Sequence, residues 1–71
     1  MKSITIRDDF IKLGQALKLA GVVESGVDAK ICIQDGCVFV NGEIEYQRGK
    51  KLYPGDIIDF EDEQFVITGE F

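Results

Sequence analysis

The hydrophobic pattern of this 71-residue chain changes from a helical to a strand period close to residue 37. After a short alternating segment at residues 3–7, apolar residues before that point recur three and four positions apart, as on one side of an α-helix. Beyond it they alternate with polar residues in short runs, as on one side of a β-strand. In so short a chain this pattern predicts one α+β domain, spanning residues 1–71, in which helices pack on a sheet.

Two helices are predicted in the first half. Asp8 or Asp9 is the expected N-cap of the first helix, and Gly21 is its expected end. Ser25 is the expected N-cap of a second, shorter helix, which ends at Gly36. The predicted buried positions are Phe10, Leu13, Leu17 and Ala20 on the first helix, and Ala29, Cys32 and Ile33 on the second.

The remaining segments predict a small antiparallel sheet of three to five short strands. The Asn-Gly at 41–42 favours a two-residue hairpin turn, and the Pro-Gly at 54–55 suits a type II turn. Ile44 and Tyr46 are expected on one face of their strand, and residues 47–51 are polar and predict a loop. The predicted strands are 3–7, 37–40, 43–46, 57–60 and 64–68.

The net charge of −5 is distributed unevenly along the chain. Six of the thirteen acidic residues follow residue 55, where there is no Lys or Arg. Residues 1–55 therefore carry seven acids and eight bases and are close to neutral. The negative surplus belongs to the C-terminal segment, so the overall charge leaves a nucleic-acid partner open.

Residues for catalysis or metal binding are scarce, and we predict no enzyme, no cofactor and no metal site. The chain has no His, which is the usual base near neutral pH, and no Gly-rich phosphate loop. Ser3 has no general base that the sequence reveals, and Ser25 is accounted for as a helix cap. Glu43 and Glu45 share a predicted strand face, which we interpret as a solvated surface.

The composition also predicts where the protein resides. No apolar run reaches the length of a signal peptide or a membrane span, so we expect a cytoplasmic protein with no membrane partner. Cys32 and Cys37 are then expected to be reduced, mostly buried thiols.

Basic residues suggest a binding surface. Arg48, Lys50 and Lys51 fall within four positions around Gly49, with no acid between them. The other candidate bases are Lys12 and Lys18 on the first predicted helix and Lys30 on the second. Each lysine taken alone is interpreted as a solubilising surface charge; the cluster favours contacts with phosphates.

The order and spacing of several short motifs resemble the S4 RNA-binding domain, in particular its small stand-alone bacterial members. The motifs are Lys12-Leu13, Leu17, Gly21, Ser25, Ala29-Lys30, Ile33, Gly36, Val38, Val40-Asn41-Gly42, Gly55-Asp56-Ile57 and the basic stretch Arg48-Gly49-Lys50-Lys51-Leu52. The resemblance implies an S4-like (αL) fold, with two helices on a small sheet and RNA held across the helices and the adjoining loop.

The resemblance also implies site residues and a function. Lys12 stands at the family's first Arg, Ser25 begins the second helix, and Lys30 stands at the base that follows Ala. The full predicted RNA-binding set is Lys12, Lys18, Ser25, Lys30, Arg48, Gly49, Lys50 and Lys51. The expected partner is structured rRNA or tRNA, with ribosomal proteins as further partners and the chain itself a monomer.

Departures from the family pattern support an alternative function. Gly14 stands where the family often has Asp, Gly26 where many members have Arg, and Ile31 where another base is common. Fewer phosphate contacts and an acidic C-terminal segment favour a protein-interaction module that has lost RNA binding. Tyr53 is a candidate for stacking on a base, whereas Tyr46 is expected to pack on the sheet.

Overall fold

The computed structural model describes residues 1–70; Phe71, the last residue of the predicted domain, lies outside the described residues. Two helices and seven strands make up the described chain. They are β1 (Lys2–Ile6), β2 (Ile11–Lys12), α1 (Leu13–Leu19), α2 (Gly26–Gln34), β3 (Val38–Val40), β4 (Glu43–Ile44), β5 (Lys51–Leu52), β6 (Ile57–Phe60) and β7 (Glu63–Gly69).

The predicted α+β fold, with two helices on a small sheet, is confirmed. Five strands form one sheet in the order β1-β7-β6-β3-β4, and β2 and β5 form a separate two-stranded ribbon. The sheet is mixed where a purely antiparallel one was expected, because β1 pairs parallel to β7. A parallel pair needs a long crossover connection, and here both helices and the other strands supply it.

The core lies between the helices and one face of the sheet. Alternation along β7 turns Phe65 and Ile67 inward, and along β6 it turns Ile58 and Phe60 inward. Helix α1 contributes three fully buried side chains and α2 contributes two to the same cluster. These helix residues are Leu13, Ala16 and Leu17 from α1, and Ala29 and Ile33 from α2.

The predicted start of the first helix is wrong. Asp8 and Asp9 precede β2, and α1 begins only at Leu13. Ile11 and Lys12, which fall within the predicted helix, instead pair with β5. A tertiary pairing to residues forty positions later therefore overrides the local N-cap signal, and no helical pattern in the sequence reveals it.

Both predicted helix ends are present as Schellman motifs. The N–H of Gly21 donates to the Lys18 carbonyl at 3.0 Å, and the N–H of Val22 donates to the Leu17 carbonyl at 3.2 Å. Gly36 repeats the arrangement after α2, with its N–H donating to the Ile33 carbonyl at 3.1 Å. Gly21 and Gly36 have φ of 77° and 78°, which disfavour any residue with a β-carbon.

The predicted strand 43–46 is shorter than expected, since β4 ends at Ile44. Tyr46 consequently leaves the sheet, and its side chain lies over Gly36 with 58% of the residue exposed, so the expected sheet packing is wrong.

The two cysteines are free thiols as predicted, but Cys32 is half-buried and Cys37 is exposed. The expectation of mostly buried thiols is therefore wrong for Cys37.

Asn41 and Asp56 join the two predicted turns. The Asn41 side chain accepts the N–H of Ile57 at 3.0 Å and donates to Asp56 Oδ1 at 3.1 Å. Asp56 Oδ2 in turn accepts the N–H of Tyr53 at 2.8 Å. The Asp56 N–H closes the type II turn on the Tyr53 carbonyl at 2.9 Å, with Gly55 at a φ of 101°. These contacts give the Val-Asn-Gly and Gly-Asp-Ile motifs a structural role.

The hairpin between β6 and β7 is a site where stability can be gained. Its two-residue turn holds Glu61 at a φ of 48° and Asp62 at 67°, as a type I′ turn requires, although this turn favours Asn-Gly. We expect Glu61→Asn/Asp62→Gly to raise the free energy of unfolding by about 1 kcal/mol, because it relieves left-handed strain. Urea unfolding measures this change in the free energy of unfolding. Glu61→Gln/Asp62→Gln is the control, because it removes the same charges and keeps the left-handed strain. An equal gain in stability in the control would contradict the strain argument.

Candidate functional site

The basic loop of residues 47–50 is held against the start of α1 by main-chain hydrogen bonds. The N–H of Leu13 donates to the Lys50 carbonyl at 2.8 Å, and the N–H of Gly14 donates to the Arg48 carbonyl at 3.0 Å. The first N–H groups of a helix have no partner within the helix, so the loop replaces a side-chain cap. This geometry brings Arg48, Gly49 and Lys50 beside the first helix.

Gly14 allows this close approach. A β-carbon built at Gly14 would lie 2.7 Å from Cγ of Arg48, closer than real β-carbons approach, and 3.3 Å from its Cδ. The aliphatic part of Arg48 therefore occupies the space that a larger residue at position 14 would need. Gly14, which stands where the family often has Asp, makes room for the cationic side chain of Arg48.

Several predicted residues surround one shallow depression of about 340 Å³. Lys12, Lys18 and Arg48 are its charged residues, and no acidic residue lines it. Its lining residues are Lys12, Gly14, Gln15, Lys18, Gly26, Arg48 and Gly49. The helices and the loop thus bring three cations and Gly49 together.

Lys51 joins this group through the ribbon. It lies directly opposite Lys12 in the register of β2 and β5. Lys30 is exposed and follows Gly26 by four residues, which places it one turn further along the same side of α2. Lys50 is also exposed, and its carbonyl caps α1. We call Lys12, Lys18, Lys30, Arg48, Lys50 and Lys51 the basic surface.

Ser25 has a structural role at the edge of the basic surface. Its Oγ accepts the N–H of Asp28 at 3.2 Å, which confirms the predicted N-cap of α2. Gly26, the next residue, lines the depression. The Ser25 hydroxyl is thus already engaged, and a contact of Ser25 with RNA stays a prediction.

The two bases outside the basic surface are paired with acids. Lys2 Nζ lies 3.1 Å from Glu63 Oε1, and Arg7 Nε lies 3.0 Å from Glu70 Oε2. Across residues 1–70 these are the ion pairs within 4.0 Å, and none involves the basic surface. Two acids of the C-terminal segment therefore pair with Lys2 and Arg7. The cations of the basic surface stay available to bind an anion.

Two other depressions have a different character. One, between β1 and α1, measures about 680 Å³ and mixes Arg7 and Lys18 with Asp8 and Glu70. The other is lined by acids of the β6–β7 hairpin together with Lys2. Neither combines several cations with a lack of acids, so the basic surface is the better candidate for a polyanion.

An aromatic pair beside the basic surface was not predicted. The rings of Phe10 and Tyr53 lie 6.1 Å apart between centroids, at an angle of 51°. Lys51 Nζ lies 4.8 Å from the centroid of the Phe10 ring. Phe10 was assigned to the buried stripe of a helix, which hid this contact. The alternation of Phe10 with Lys12, and of Lys51 with Tyr53, is the sequence signal that indicates it.

Glu45 Oε2 accepts the N–H of Gln47 at 3.1 Å, so Glu43 and Glu45 do not form a carboxylate pair on one strand. The pKa of the Cys32 thiol is raised, mainly by burial and secondly by the nearby Cys37. The thiol is therefore protonated near neutral pH. Within residues 1–70, no three His, Cys, Asp or Glu side chains cluster as metal ligands.

Neither helix in the described part of the chain is long and apolar enough to cross a membrane.

Two known proteins are similar to this chain over more than two thirds of its length. The probable ribosome maturation protein RlbA of Bacillus subtilis (strain 168) is 47% identical over 58 residues, which are 82% of this chain and 82% of that protein. The putative RNA-binding protein YbcJ of Escherichia coli (strain K12) is 40% identical over 50 residues, which are 70% of this chain and 71% of YbcJ.

Similarity extends to a solved structure and to a family model. The solution structure of YbcJ from E. coli, described as revealing an alfaL motif involved in RNA-binding, matches with a TM-score of 0.73 and 30% identity. The match covers 96% of this chain and 87% of that one. The model of the S4 domain matches residues 4–68. The family predicted from the motifs is therefore confirmed, and this chain belongs to the S4 domain family.

Proposed function

We propose that this chain binds structured RNA through the basic surface and serves ribosome maturation. The observation that carries the proposal is the depression in which Lys12, Lys18 and Arg48 meet with no acidic residue among its lining. Membership of the S4 domain family supports it, as do relatives named as a ribosome maturation protein and as an RNA-binding protein.

The chemistry of the basic surface suits recognition of the RNA backbone. Lysine and arginine side chains bind phosphates, and folded RNA is recognised mainly by its shape, its phosphates and its 2′-hydroxyls. Arg48 offers a planar set of donors that can bind one phosphate through two hydrogen bonds. Ribosomal RNA is the RNA class that the name of the relative RlbA favours. We further propose that the chain acts as a monomer in the cytoplasm.

The affinity for RNA is expected to depend steeply on salt. If about four of the six cations contact phosphates, log K falls with log of the salt concentration at a slope of about −3 to −4. Fluorescence titration of a structured rRNA fragment between low and physiological salt measures the slope. A slope near zero, or no binding at low salt, would overturn the proposal.

A second candidate function is docking on a protein. The outer face of the sheet is uncovered, and Phe39 and Ile44 lie opposite each other on it with 37% and 45% exposed. An exposed apolar pair of this kind suits a protein contact. Co-sedimentation with ribosomes that survives nuclease and high salt, but is lost in a Phe39→Ser/Ile44→Ser variant, would favour this function over RNA binding.

A further inference from the structure

The ribbon of β2 and β5 has one face on the core and one face toward solvent. Its register places Ile11 opposite Leu52 and Lys12 opposite Lys51. Leu52 is fully buried and Ile11 packs against the core, so this pair forms the inner face. Side chains alternate along a strand, and the two lysines therefore share the outer face.

An aromatic pair continues this outer face. Extending the register by one position brings Phe10 opposite Tyr53, in agreement with the 6.1 Å between their ring centroids. Tyr53 is 49% exposed, and Phe10 is half-buried, with Lys51 Nζ over its ring. The outer face of the ribbon thus presents two aromatic rings next to two ammonium groups.

The position of Tyr53 is fixed by the turn that follows it. Its N–H donates to Asp56 Oδ2 at 2.8 Å, and its carbonyl accepts the Asp56 N–H at 2.9 Å. Asp56 is itself tied to Asn41 at 3.1 Å. An exposed ring on so constrained a backbone can receive a ligand with little loss of backbone freedom.

No acidic side chain of residues 1–70 pairs with Lys12 or Lys51 within 4.0 Å, and Lys51 Nζ lies over the face of the Phe10 ring, 4.8 Å from its centroid. Like charges directly opposite each other on neighbouring strands are destabilising. An anion placed between the two ammonium groups would remove the repulsion, and a phosphate is the anion that the proposed function supplies.

We propose that the outer face of this ribbon binds one unpaired nucleotide of the RNA, with its base stacked on Tyr53 and its phosphate between Lys12 and Lys51. The inference rests on the proposed function and deepens it. Bases within a duplex cannot reach an aromatic side chain, whereas unpaired bases in loops, bulges and helix ends stack on such rings. The preferred ligand is therefore an RNA helix that carries an unpaired nucleotide beside the phosphates bound in the depression.

Two RNA duplexes with identical blunt ends test the proposal. They share one sequence, but one strand of the second carries a single bulged 2-aminopurine, whose fluorescence reports on stacking. We expect the wild-type protein to bind the bulged RNA about five- to tenfold more tightly, at the low end of the range for base–aromatic stacking, and to change the fluorescence of the 2-aminopurine. Tyr53→Ala should lose this preference and keep its affinity for the fully paired duplex, while Tyr53→Phe should retain both.

Tyr46→Ala is the matched control, because Tyr46 is exposed but packs over Gly36, at the far end of α2 from Gly26. It should bind both RNAs as the wild type does. Salt-dependent binding of both RNAs with equal affinity, or a preference that Tyr53→Ala leaves intact, would overturn the nucleotide site and leave the proposed function standing. No binding to either RNA at low salt would overturn both.

Discussion

A Lys12→Glu/Arg48→Glu variant is expected to bind structured RNA about 100-fold more weakly than the wild type, since two charge-assisted phosphate contacts of roughly 1.5 kcal/mol each are lost. Both side chains line the depression beside α1, and the lining of this depression contains no acidic residue. Neither forms an ion pair within residues 1–70, so their replacement breaks no salt bridge there. Titration of an rRNA fragment at low salt measures the effect, with circular dichroism as the check on folding.

A charge-matched control separates the basic surface from net charge. Lys2→Glu/Arg7→Glu changes the charge of the protein by the same amount, at two residues already paired with Glu63 and Glu70. With both variants titrated at about 0.1 M salt, we expect its affinity to fall by at most about threefold, because neither side chain lines the depression of Lys12 and Arg48 and this salt screens charges more than about 10 Å from the contact. Equal losses in the two variants would mean that RNA responds to overall charge, and the basic surface would then have no special role.

A Phe65→Ala variant is expected to lose more than half of its free energy of unfolding. Phe65 is the largest fully buried side chain of the core and lies on β7, between β1 and β6. Truncation of a buried Phe costs about 3 to 5 kcal/mol, while a domain of this size is stable by only about 5 kcal/mol. Far-UV circular dichroism and urea unfolding measure the loss.

Phe39→Ala removes the same atoms from the other face of the sheet. Phe39 is 37% exposed and points away from the helices. We expect it to cost no more than about 1 kcal/mol, the scale of strand preference at a half-exposed position, and to keep a cooperative transition. If the two substitutions destabilise the protein equally, the assignment of the core to the inner face is wrong.

Local signals predicted most of the fold. Ser25, Gly21 and Gly36 fix helix boundaries through contacts made within a few residues, and the turns at 41–42 and 54–55 depend on positive φ at glycine. The failures came from distant partners. The start of α1 depends on main-chain bonds to the loop of residues 47–50, and the direction of β1 depends on β7. No window of neighbouring residues contains either partner.

The candidate site also has features that neighbouring residues in the sequence reveal and features that depend on distant partners. The cluster around Gly49 was visible as a run of bases, and its approach to Lys12 and Lys18 follows from the two helices meeting the loop. The pairing of Lys12 with Lys51 and of Phe10 with Tyr53 required the register of the ribbon, which two-residue strands do not reveal. Gly14 was read as a lost side chain, and only its contact with Arg48 explains it.

The parallel pairing of β1 with β7 has a consequence for biosynthesis. It joins opposite ends of the chain, where Thr5 and Thr68 share a hydrogen bond across 63 residues. A nascent chain makes β1 first, yet this strand has no partner until translation has passed Gly69. The helices and hairpins form from near neighbours, whereas closing this pair carries the entropy of almost the whole chain. The pairing of β1 with β7 therefore cannot form until β7 has been synthesised, and β1 remains an unpaired strand until then.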